Sequence, residues 1–171
     1  MSEIQEYWFA ARTRKDQELT IRNSLVKMGI KHFLPTQTVI RQLKYRKKRV
    51  EVPIIRNLIF IQATKETALS LPNDHGIQVF FLRDYISHKT LIVPNKQMED
   101  FMFVMDTDPE AVTFDDSELV PKAKVQIVKG KFCGVEGEFA ALANKAYVII
   151  RMPNVLSVNI RVPKSYIRLI K

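Results

Sequence analysis

Val125 to Glu138 restricts the fold more than any other stretch: Val-Gln-Ile-Val-Lys-Gly-Lys-Phe-Cys-Gly-Val-Glu-Gly-Glu. Its first half alternates apolar and polar side chains, the period of a strand with one buried face. Gly130, Gly134 and Gly137 follow in quick succession. Glycine allows positive φ or close backbone approach, so the cluster predicts a tight turn rather than a helix. A second strand is expected to leave through Glu138–Leu142. Tyr147–Ile150, Leu156–Val162 and Ile167–Ile170 are further short β-rich runs separated by turn residues. Together they predict a small closed barrel over residues 119–171. The density of β-branched residues there opposes helix, and Pro153 and Pro163 would interrupt a long one.

Upstream, Tyr7–Arg12 reads as a buried, aromatic-rich strand. Thr13, with Asp16 three residues on, is expected to cap a helix over Arg14–Met28 whose buried stripe is Ile21, Leu25 and Met28. Gly29 is its natural left-handed stop. Ile30–Ile40 looks extended. Arg41-Gln42-Leu43-Lys44-Tyr45-Arg46-Lys47-Lys48-Arg49 follows, with six basic residues in nine and no acid. It reads as an exposed hairpin tip, where a nucleic-acid backbone could be met and Tyr45 could stack.

Val50–Gln62 returns as a strand interrupted by Pro53 and by a bend at Arg56-Asn57. Leu58–Ile61 is apolar on both faces, as in a strand covered on each side. A short helix over Thr64–Leu71, ended by Pro72, precedes a strand at Ile77–Leu82. Pro94 opens a helix to Met105 with Met98, Phe101, Met102 and Met105 on one face. The fold class expected for residues 1–105 is α+β, an antiparallel sheet with flanking helices.

Charge marks the joint between the two parts. Residues 1–105 carry seventeen Lys/Arg against ten Asp/Glu, residues 106–118 none against six, and residues 119–171 ten against two. The acidic segment 106–118 is expected to be a linker. The net charge of +9 suits an anionic partner. A single cysteine, Cys133, cannot form an internal disulfide, which suits a reducing cytosol. No apolar run reaches the length of a membrane span and the first residues do not look like a secretory leader, so a cytoplasmic location with no membrane contact is expected. His32, His75 and His88 have no spacing that joins them to Cys133 or to a carboxylate pair, and Asp115-Asp116 lacks metal-ligand spacing. The glycine cluster precedes a strand and lacks the Lys-Ser/Thr of a phosphate-binding loop. No catalytic, cofactor or metal site is expected, and an enzyme is not.

Gly130, Phe132, Gly134 and Gly137 fall on the pattern of the KOW motif. With Trp8-Phe9, Phe33-Leu34-Pro35, Pro53 to Phe60, Gly76 to Leu82 and Val93-Pro94 in this order, the chain resembles the NusG family over about residues 6–171. Its general shape is similar to specialised paralogues such as the capsular-polysaccharide antiterminators of Bacteroides. The resemblance implies an N-terminal NGN domain on the clamp helices of RNA polymerase, where it would reduce pausing or termination. Trp8, Phe9, Ile55, Leu58, Phe60 and Phe80 would by position form the apolar clamp contact. Arg56-Asn57-Leu58 departs from the family's usual Pro-Gly-Tyr or Pro-Asn-Tyr and leaves Leu58 in the aromatic position. Lys44, Tyr45, Arg46, Lys47, Lys48 and Arg49 would face upstream or non-template DNA or nascent RNA. The KOW domain would recruit a ribosomal protein or the Rho factor, and a monomer is expected. The rival reading is a ribosome- or RNA-associated KOW protein that uses its basic surfaces directly.

Overall fold

The structure is a computed structural model, described here over residues 4–114, 119–152 and 154–170. The chain divides into two compact units, residues 1–93 and 94–171. The first contains β1 (Tyr7–Thr13), α1 (Glu18–Met28), β2 (Lys31–Phe33), β3 (Thr36–Gln42), β4 (Lys47–Pro53), β5 (Leu58–Ala63), α2 (Lys65–Asp74), β6 (Val79–Phe81) and β7 (Ile92–Val93). The main sheet runs β2-β5-β1-β6, with β7 also paired to β1, and every pairing is antiparallel. Among the described residues, β3 and β4 pair only with each other.

β1 and β5 are the central strands, and side-chain alternation gives the sheet two apolar faces. Phe9, Ala11, Ile59 and Ile61 form a core with Ile21 and Leu25 of α1 and Ala68 and Leu71 of α2. The alternate residues Trp8, Ala10, Leu58 and Phe60 point the other way and are buried as well. Leu58–Ile61 is therefore the doubly covered strand that its composition predicts.

Three local expectations change. Thr13 does not cap α1; it ends β1, paired with Val79, and its amide donates to Asn57 O at 3.1 Å. Asp16 turns the chain at φ 62°, and α1 starts at Glu18 without a side-chain cap. Met28 stays exposed, so Ile21 and Leu25 carry the stripe together with the buried stem of Glu18. α2 runs through Pro72 to Asp74, because Thr64 caps its start and the buried Ala68 and Leu71 hold it on the sheet. Gly29 takes the expected left-handed stop at φ 71°. The Arg56-Asn57 bend also forms, with Asn57 at φ 62° and its amide donating to the Glu18 carboxylate at 3.3 Å.

The second unit contains α3 (Asn95–Thr107), β8 (Val112–Thr113), β9 (Lys124–Ile127), β10 (Glu136–Leu142), β11 (Lys145–Met152), β12 (Leu156–Val162) and β13 (Ile167–Leu169). Its sheet order is β13-β9-β10-β11-β12-β8, all antiparallel. The chain thus combines an α+β unit with a β-rich unit, in the fold classes expected from the sequence. The KOW turn forms as expected: Gly134 N donates to Ile127 O at 2.7 Å, and Phe132 is buried beneath. Gly130 and Gly134 have positive φ. Gly137 is needed for a different reason, since a Cβ there would strike the Ile149 backbone carbonyl.

The boundary between compact units differs from the division expected at the acidic stretch. α3 belongs with residues 94–171. The buried Asp100 takes the Lys96 ammonium at 2.9 Å and the Glu136 amide at 3.1 Å, while Lys96 also donates to Gly134 O at 3.2 Å. Residues 109–111 form a helical turn capped by Asp108, and β8 then pairs Val112 with Ile160. The acidic stretch is ordered structure through Thr113, because Val112 is buried and Asp108 pairs with Lys131. Residues 115–118 of the expected linker, and Pro153, lie outside the described residues.

Candidate functional site

The basic ribbon is built from β3 and β4, in register from Thr36 opposite Pro53 to Gln42 opposite Lys47. Leu43 N donates to Arg46 O at 2.7 Å and closes the turn, which leaves Lys44 and Tyr45 at the tip. Tyr45 is 88% exposed, with the Lys44 ammonium 5.4 Å from its ring centroid. Lys44, Arg46, Lys47, Lys48 and Arg49 are all exposed, and none has an ion pair among the described residues. Arg41 stands directly opposite Lys48. Like charges so placed repel, and an anion laid across them would relieve the repulsion. The structure therefore places all six expected nucleic-acid residues on one exposed ribbon, Lys44 and Tyr45 at its turn, Arg46 beside it and Lys47, Lys48 and Arg49 along β4.

The base of the ribbon is tied down by a single carboxylate. Glu51 Oε2 accepts from Arg22 Nη1 and from Thr36 Oγ1, each at 2.7 Å. The bond from Arg22, followed by that from Thr36, lowers the Glu51 pKa to about 2. Ile54 N donates to Pro35 O at 2.8 Å, which continues the ladder where the prolines cannot donate.

The apolar candidates separate. Phe9 lies in the helix-covered core. Trp8, Leu58 and Phe60 lie on the opposite sheet face, where the Phe33 and Phe60 ring centroids are 6.4 Å apart. All four are buried, Leu58 at 2% exposure, so this structure does not display them at the surface. Ile55 is half-buried in the β4–β5 loop. Phe80 is the member that is open, at 53%, with the Arg14 guanidinium 5.8 Å from its ring centroid. Phe80 pairs across the strands with Arg12, which itself pairs with Leu58, so one face connects them.

One apolar display was not anticipated from sequence. Arg83 to Thr90 forms a hairpin whose Asp84 carboxylate accepts the amides of Ile86 (2.7 Å) and Ser87 (3.3 Å). This local turn holds Tyr85 and Ile86 outward, Ile86 at 92% exposure. An Asp two residues before the loop apex was the available signal, since such side chains bond their own backbone two residues on. Among the described residues there is no group of three or more His, Cys, Asp or Glu able to hold a metal ion, and no helix is long and apolar enough to cross a membrane.

Comparison with known proteins places the first unit. The profile of the family described as "Transcription termination factor nusG" matches residues 6–102. No curated protein sequence matches the chain. Among solved structures, one titled "Domain interaction in Thermotoga maritima NusG" is similar at 15% identity and a TM-score of 0.48, covering 98% of each chain. The matched profile spans more than half of the sequence and takes in every strand of the first unit, so the chain belongs to the NusG family of transcription factors.

Proposed function

We propose that this chain binds the clamp helices of RNA polymerase through its first unit and reduces pausing or termination. The observation that carries the reading is the family match over residues 6–102, which spans the β1–β7 sheet and the basic ribbon. Phe80 and Ile55 are the contact residues within reach at the surface; Trp8, Phe9, Leu58 and Phe60 hold the sheet that presents them. Charge and geometry support a second contact, in which Lys44, Arg46, Lys47, Lys48 and Arg49 follow upstream or non-template DNA or nascent RNA, with Tyr45 against a base. The second unit recruits a further factor, a ribosomal protein or Rho. A specialised antitermination role like that of the Bacteroides capsular-polysaccharide antiterminators is the finer form of the proposal and rests on the sequence resemblance. Single-round transcription with purified polymerase tests it. The chain shortens pauses or carries polymerase through a terminator, and Phe80→Asp abolishes the effect. No change in elongation at saturating protein would overturn the reading.

A further inference from the structure

A groove of about 730 Å³ opens at the Ala143–Asn144 end of the second unit's sheet. Four cations reach it from four segments: Lys122 ahead of β9, Lys145 at the start of β11, Arg161 near the end of β12, and Lys164 in the helical turn that follows. Phe139 lines the same groove and is only half-buried, and Glu110 is its one acidic residue among the described residues. Strand pairing fixes the positions, since Arg161 lies opposite Tyr147, two residues from Lys145, and Lys122 N donates to Phe139 O at 2.8 Å.

The unit pairs several of its other cations: Lys96 with Asp100, Lys131 with Asp108 and Arg151 with Glu138. The four groove cations are exposed, and none has an ion pair among the described residues, although Glu110 lines the same groove. Converging like charges oppose one another, and a polyanion seated between them reverses the sign of that interaction.

We propose that this groove binds the backbone of single-stranded nucleic acid, with phosphates on Lys122, Lys145, Arg161 and Lys164 and a base against Phe139. Cations spread along a groove beside an accessible ring match a strand with evenly spaced charge and a flat base. This site is separate from the polymerase reading and stands or falls without it.

The test uses the full chain with Gln at Lys44, Arg46, Lys47, Lys48 and Arg49, so that these five ribbon cations make no contribution. A fluorescent oligouridylate of about twelve nucleotides is titrated at roughly 50–200 mM salt. Four phosphate contacts give a log–log salt slope of about −2.8, and adding Lys145→Gln with Arg161→Gln lowers its magnitude by about 1.4. Affinity at the low-salt end falls about tenfold or more. Unchanged affinity and slope in that variant overturn the proposal, as does equal binding of a polyglutamate of the same charge. Should the double variant melt early, Lys122→Gln with Lys164→Gln gives the same readout.

Discussion

Leu58 and Phe80 lie on one face of the first unit's sheet but differ in exposure, and a carboxylate at each should act in opposite ways. Leu58→Asp puts a charge where 2% of the side chain meets solvent, and should cost about 3–5 kcal/mol and unfold the unit. Phe80→Asp should leave the melting temperature nearly unchanged and remove polymerase binding. Thermal melts beside pull-downs of both variants check this. The alternation in β1 and β5 made both apolar faces legible in the sequence, but a strand apolar on both sides carries no mark of which residues remain at the surface. That is why Trp8, Leu58 and Phe60 could be named as patch residues and yet are buried. The KOW glycines were legible because their spacing reflects backbone geometry, although Gly137 serves close approach rather than positive φ. Gly137→Ala should cost about 3 kcal/mol through the Ile149 carbonyl. Gly76→Ala, with open space around its Cβ, should cost about 1 kcal/mol. Chemical denaturation separates the two.

Elements were read well where periodicity decided them and less well where tertiary packing did. The basic ribbon, the Gly29 stop and the KOW hairpin all follow from local composition. The start of α1 does not, because β1 holds Thr13 in the sheet and defers the helix to Glu18. α2 runs on past Pro72 because Leu71 is anchored in the core. The tie between the ribbon and α1 should depend on pH. The Glu51 pKa is lowered to about 2, so its stabilising contribution is complete above the ordinary carboxylate range and fades as pH falls through that range toward 2. The Arg22 and Thr36 side-chain signals in an NMR titration should follow that fall, and Glu51→Gln should remove it. An exposed pair of this kind contributes little to global stability, so the midpoint of unfolding near neutral pH should scarcely move. α3 supplies another element-scale prediction. Because Asp100, Lys96 and β8 join it to the second unit's sheet, the fragment 94–171 should melt higher than 119–171. Far-UV circular dichroism of the shorter fragment should be β-rich, since Val148–Ile150 and Leu156–Val162 are strands whose β-branched residues oppose helix.

For the whole molecule, the central claim is that a NusG-family chain meets polymerase by protein contact, with its basic surfaces as additional nucleic-acid contacts. An interaction that depended on the charges alone would pass through DNA or RNA and weaken steeply with salt. A contact centred on Phe80 and Ile55 would survive digestion of the nucleic acid. The most direct measurement is capture of RNA polymerase on the immobilised full-length chain, with and without nuclease, using wild type, Phe80→Asp and the ribbon variant carrying Gln at Lys44, Arg46, Lys47, Lys48 and Arg49. The account predicts nuclease-resistant capture by wild type and the ribbon variant, and its loss in Phe80→Asp. Capture that disappears on nuclease treatment, or that Phe80→Asp leaves intact while the ribbon variant abolishes it, would contradict the account.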